Sequence, residues 1–265
     1  MDRIGEPAEK VDFATPFRDF AVMESAIKKS PKKAEKGVIG EAAMPRSSHL
    51  TVQRIIQAAA EEIAEHGASG AQMTRIAERA SVSTQLVYHY FGSKEEIHVA
   101  VLEDIATVTM EEHLRVDYAS MDPEVAIKAF LDRTFIFLEN NPLIGPLSLS
   151  ENISRGSHVS ARSKFRRDMP ILIQRLNEVL NRGAKLGVFR VDVDAPMFFA
   201  ACLMLCEGCF LTGKVMSVFL DADLTQPQGR ARWREFMIGM VLGYLRPAGG
   251  IAQQPLNAQY NKQIA

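Results

Sequence analysis

Cysteine, net charge and uninterrupted apolar runs are all scarce in this 265-residue chain. Three cysteines, Cys202, Cys206 and Cys209, cannot complete a disulfide framework, which suits a reducing cytoplasm better than secretion. With 31 basic and 32 acidic side chains the molecule is nearly neutral, so any site for a polyanion must be local. The most apolar stretch, "APMFFAACLMLCEGCFLTG", is interrupted by Glu207 and barely reaches span length, so it reads as a buried helix and no membrane partner is expected. The N-terminus, "MDRIGEPAEKVDF", alternates charges without an apolar h-region and is not a signal peptide.

Catalytic signatures are missing as well. The six histidines form no HExxH pattern. Ser150, Glu151 and His158 invite a hydrolase reading, but no G-x-S-x-G elbow accompanies them. The cysteines fall at i, i+4 and i+7, one stripe of a helix, with no histidine near them in sequence; burial in a helix interface is expected, and redox sensing stays open. No catalytic residue, metal or cofactor is assigned, and the chain does not read as an enzyme.

What is present is helical patterning, with 47% apolar residues for a sizeable core. Residues 1–46 show no sustained periodicity and hold Pro7, Pro16, Pro31 and Pro45; Lys28, Lys29, Lys32, Lys33, Lys36 and Arg46 outweigh Glu35 and Glu41, which predicts a flexible basic arm that is either plain solvated chain or a phosphate-seeking extension. From Thr51, apolar Val52, Ile55, Ile56, Ala59 and Ile63 recur at helix spacing up to Gly67. Short helices are expected over 73–80 and 84–90, and a fourth opens at "SKEE", where Ser93 and Glu96 can make a capping box. Further helices are expected over 123–140, over 158–182 with a kink or restart at Pro170 and a stop at Gly183, from Asp194 and Pro196 to about 220, and over 229–245, with a frayed tail over 248–265. The fold class is all-α.

The stretch "ASVSTQLVYHYFGSKEEI" concentrates function. Ser81-Val82-Ser83 is a tight link between two short helices whose small residues Ala77 and Ala80 permit a close crossing, the anatomy of a helix-turn-helix. On the second of these helices Val87 and Phe91 should face the core. Ser83, Thr84, Gln85, Tyr88 and His89 then face outward, with donors and acceptors of the length needed for base edges and phosphates. Tyr90 adds a polar tip, and Lys94 stands at the next helix start, where amide N–H groups attract phosphate.

"RIIQAAAEEIAEHG" followed by "MTRIAERASVSTQLVYHYFGSKEEI" resembles the TetR family of bacterial transcriptional regulators over about residues 49–109, and "LNEVLNRGAKLGVFRVDVDA" is a weaker echo of the segment before the dimerisation helices. The resemblance implies a three-helix DNA-binding domain over 47–109 and a larger helical ligand-binding and dimerisation domain over 110–247. By position, Thr74 and Arg75 match residues that touch phosphate and sometimes a base; Thr84 and Gln85 match base readers; Tyr88, His89, Tyr90 and Lys94 match backbone clamps. Ser81 departs from the family, standing where glycine is usual, and Leu86 occupies a place usually held by a small residue.

In the C-terminal half, Phe130, Phe137, Met169, Phe198, Phe199 and Met204 are candidate linings of an effector cavity, each weighed against ordinary core packing. Ala200, Ala201 and Gly208 on one helix, with Gly239 and Gly243 on the other, suit a four-helix interface between two copies. The resemblance therefore implies a homodimer on a palindromic double-stranded operator, with half-sites roughly 34–36 Å apart, released by a small lipophilic effector. A ligand-independent architectural or constitutive DNA binder is the alternative.

Overall fold

The computed structural model describes residues 46–159 and 163–247; the expected arm, apart from Arg46, and the tail over 248–265 lie outside the described residues. Among the described residues there are nine helices and no strand: α1 (Arg46–Gly70), α2 (Met73–Arg79), α3 (Thr84–Phe91), α4 (Lys94–Leu114), α5 (Pro123–Asn140), α6 (Ile144–Ile153), α7 (Lys164–Lys185), α8 (Ala195–Leu220) and α9 (Pro227–Leu245).

The chain divides into two compact units, Met1–Glu112 with Phe137–Met169, and His113–Ile136 with Pro170–Ala265. Phe137–Met169 thus belongs with the N-terminal helices, and His113–Ile136 with the C-terminal ones. In the first unit the helix-spaced residues of α1, Val52, Ile55, Ile56, Ala59 and Ile63, are buried with Ile76 and Ala77 of α2, Val87 and Phe91 of α3, Ile97 and Val101 of α4 and Leu147 of α6. Gly67 breaks the regular course of α1 at φ 72°, ψ 166°, a conformation costly for any residue with a Cβ. Just beyond it, the Ala68 amide donates to Ser150 Oγ of α6 at 2.9 Å, which gives the serine of the apparent Ser–Glu–His set a structural task.

In the second unit, α8 starts as its sequence dictates: Asp194 Oδ1 accepts the Met197 amide at 3.0 Å and proline fills the first turn. Its stripe Cys202, Cys206 and Cys209 is buried, and Cys206 Sγ lies 3.6 Å from Met237 Sδ of α9. Burial pushes the Cys202 thiol up to about 12, and that of Cys206 higher still, so neither offers a thiolate near neutral pH. Helix α8 is long and apolar enough to cross a membrane by length and composition alone.

Two expectations about α7 need correction. The helix starts at Lys164, not His158, and Pro170 lies inside it, so the chain does not restart there. Nor does Gly183 end it. The stop lies at Gly187 (φ 72°), whose amide reaches Ala184 O while the Val188 amide returns to Gly183 O, the two bonds of a Schellman turn. Gly183 is instead a packing glycine. A Cβ there would lie 2.0 Å from Cδ2 of the buried Phe189 ring. Gly183→Val is expected to lower stability by roughly 2 kcal/mol through overpacking, read as a drop in the thermal midpoint; an unchanged midpoint would remove the close approach from the account.

Candidate nucleic-acid interface

The angle between α2 and α3 is set by a second Schellman turn. The Ser81 amide donates to Glu78 O and the Val82 amide to Ala77 O, each at 3.0 Å, with Ser81 held at φ 54°. A side chain at this left-handed position costs about 1 kcal/mol relative to glycine, the strain implied by serine at this site. Val82 packs against the core of the unit, and Ser83 caps α3 by accepting the Leu86 amide at 3.2 Å.

With that turn in place, α3 shows two faces. Val87 and Phe91 are buried, whereas Gln85, Tyr88 and His89 are exposed; Tyr88 retains half of its surface. The imidazole of His89 meets the ring of Tyr90 edge-on, with centroids 5.5 Å apart, and Tyr90 leans partly on the core. Thr84 and Leu86 are half-buried, and Thr74 is exposed at the start of α2. The structure thus gathers Thr74, Gln85, Tyr88 and His89 on accessible surface. Ser83 is engaged as a cap, so its backbone geometry matters as much as its hydroxyl.

Both expected cations, Arg75 and Lys94, are held by acceptors within the unit. Arg75 Nε donates to Glu62 Oε1 at 2.5 Å and Nη2 to Gly70 O at 2.7 Å. Arg79 Nε lies 3.3 Å from Glu62 Oε2, and its Nη2 binds Glu65, whose carboxyl that hydrogen bond holds below the usual range. Lys94 Nζ donates to Ser69 O at 3.0 Å. At the head of α4, Ser93 Oγ accepts the Glu96 amide at 3.1 Å, while the Ser93 amide itself goes to Phe91 O.

Glu62 was missed in the sequence. It is fully buried, and besides the two arginines it accepts the Gln72 amide at 3.3 Å. Its signal was the charge at a core-facing position of α1, directly before Ile63, where an apolar residue would be ordinary.

The six proposed cavity residues do not converge. Phe130 and Phe198 are buried and Phe199 half-buried in the second unit, where the Phe130 and Phe199 rings stand 6.1 Å apart; Met169 is half-buried, and Met204 is 72% exposed. Phe137 alone of the six lines a cavity of about 300 Å³ in the first unit, together with Gln57 and Glu61 of α1, Ile105 and Val108 of α4, and Leu147 of α6.

Comparison with known proteins agrees with this geometry. Residues 55–101 match the description "Bacterial regulatory proteins, tetR family", and residues 123–241 match "Tetracyclin repressor-like, C-terminal domain". The chain is 27% identical to the HTH-type transcriptional repressor NicS of Pseudomonas putida over 198 residues, 74% of this chain and 92% of that protein. It is 45% identical to the HTH-type transcriptional repressor SCO4008 of Streptomyces coelicolor over 58 residues, 22% of this chain and 30% of that one. Among solved structures, the fatty acid degradation regulator FadR of Bacillus halodurans shares the fold at a TM-score of 0.54 and 24% identity, over 75% of this chain and 97% of that chain.

Removing the Glu62 carboxylate would leave Arg75 and Arg79 without their common partner. Because both arginines can reach water, Glu62→Ala is expected to cost roughly 2–3 kcal/mol, below the range for wholly buried pairs, in denaturant unfolding. Wild-type stability of that variant would refute the anchoring role.

Proposed function

Because the chain belongs to the TetR family and is a DNA-binding transcriptional regulator, not an enzyme, we propose that it is a ligand-responsive repressor that holds a palindromic operator as a homodimer in the cytoplasm. The observation that carries this reading is the exposed polar face of α3, Gln85, Tyr88 and His89, backed by the buried pair Val87 and Phe91. Such a face fits the major groove, with Gln85 and Thr84 at base edges. Tyr88, His89 and Tyr90 grip the backbone, Thr74 reaches phosphate from α2, and Lys94 exchanges the Ser69 carbonyl for a phosphate oxygen. Arg75 keeps Glu62 and acts on DNA by positioning α2.

The effector reading rests on the cavity beside Phe137. Its walls are mostly apolar, with Gln57, Glu61 and Asn141 available to orient a polar end, which suits a small lipophilic molecule carrying one hydrogen-bonding group. A ligand there touches α1 and α4 in the unit that carries the reading helix. It relieves repression only to the extent that it prefers the non-binding arrangement, typically by about 1–3 kcal/mol.

The dimer reading rests on the uncovered face of α8 and α9. Met197, Met204, Leu211 and Val218 repeat every seventh residue and are exposed, as are Phe236, Met240 and Tyr244. At Gly208, Gly239 and Gly243 an added Cβ would meet nothing within 4 Å, which leaves room for close approach by a second copy.

Operator titrations at several salt concentrations test the DNA surface. Tyr88→Ala is expected to weaken binding about tenfold with little change in salt slope, whereas Lys94→Ala should reduce the slope by roughly one. Wild-type curves for both variants would sink the assignment. Sedimentation tests the interface. Gly239→Leu has space within one chain, so it should leave helical content intact while converting a dimer into a monomer; a mass unchanged by the substitution would exclude this face.

A further inference from the structure

One cluster in the first unit takes no part in the surface described above. His98 of α4, Glu151 in α6 and His158 in the segment after α6 each offer a donor atom, and these atoms lie within 4.8 Å of one another. Glu151 Oε2 is 2.9 Å from His158 Nδ1 and 3.9 Å from His98 Nε2, and the two imidazole centroids are 4.1 Å apart. His98 and Glu151 are buried, and His158 is partly open to solvent.

Hydrogen bonding accounts for only half of this arrangement. Glu151 Oε1 accepts the His158 amide at 2.8 Å, which fixes the carboxylate and aims Oε2 at both rings. His98 Nε2 is buried without a hydrogen-bond partner, an unfavourable state for a polar atom. Burial, followed by the neighbouring His158, holds the His98 imidazole down at about 4, so it is neutral at physiological pH with a lone pair available. Two imidazoles 4.1 Å apart and tilted by 34° cannot both carry charge cheaply, but both can donate lone pairs to one cation.

We propose that His98, Glu151 and His158 form a binding site for a divalent transition ion of the zinc class, joining α4 to the end of α6. Two imidazole nitrogens and one carboxylate oxygen suit zinc, cobalt or nickel and not magnesium or calcium, which prefer all-oxygen shells. Metal bonds of about 2.0–2.2 Å at tetrahedral angles place donors about 3.3 Å apart, between the two donor separations measured from Glu151 Oε2. Rotation of the partly exposed His158 closes the set. Ser157 Oγ, 3.3 Å from His158 Nδ1, or a water completes the fourth position. The site is made wholly within the unit that carries the reading helix. Its α6 anchor also holds α1 through Ser150, so an ion there ties α4 to the frame on which α2 and α3 stand.

The proposal does not depend on DNA binding, and its test uses the full chain without DNA. Chelator-treated protein is titrated with Co²⁺ and then Zn²⁺, followed by calorimetry, by cobalt visible absorption and by the thermal midpoint. One ion per chain is expected, with the absorption of four-coordinate cobalt, no thiolate charge-transfer band, and a raised midpoint. His158→Ala, checked to retain wild-type helical content, should weaken binding at least thirtyfold and Glu151→Gln at least tenfold, while His66→Ala binds as wild type. The proposal is overturned if wild type takes up no ion. It is equally overturned if His158→Ala binds as tightly as wild type or a thiolate band accompanies binding, each of which indicates an adventitious ion only.

Discussion

A single buried carboxylate holds the reading apparatus together. Glu62 lies inside the first unit and joins α1 to α2 through Arg75, Arg79 and the Gln72 amide. Helix α2 has only seven residues, too few to persist by its own backbone hydrogen bonds, so its direction must come from tertiary contacts. Apolar burial of Ile76 and Ala77 supplies adhesion, but adhesion alone lets a short helix rotate. The Arg75 guanidinium, bonded at once to the Glu62 carboxylate and to Gly70 O, supplies the orientation, and α3 inherits it through the turn at Ser81.

The same turn shows how a local cost is met. At the end of α7 a Schellman turn uses Gly187, the residue best suited to positive φ; after α2 the same pair of hydrogen bonds is made with Ser81. The strain at Ser81 is held by Val82 packing into the core and by Ser83 capping the next helix, so the three link residues take the three separate tasks of turning, plugging and capping.

Much of this was legible in the sequence because its determinants are local. The spacing of Val87 and Phe91 fixes which face of α3 is buried; Asp194 and Pro196 mark the start of α8; Ser93 marks the start of α4. What was not legible depends on residues distant in the chain. Arg75 carries a charge that suits phosphate, and only the folded position of Glu62 turns it inward. Gly183 looks like a helix stop until Phe189 folds back over it. Met204 resembles a cavity lining by composition, yet it lies on the outer side of α8, while the cavity beside Phe137 draws on α1, α4 and α6. His98 is separated from Glu151 and His158 by more than fifty residues, so no spacing pattern could have joined them.

The sealing of all three native thiols has a practical corollary. Cys202, Cys206 and Cys209 are buried, with their sulfurs withheld from the thiolate form at least at the first two positions. A maleimide reagent would therefore find them slow to react, and a cysteine engineered at exposed Gln85 would become the fast-labelling handle on the groove-facing helix. The native background leaves a fluorophore's signal to report on that one location, with no need to strip sulfur from the interior first.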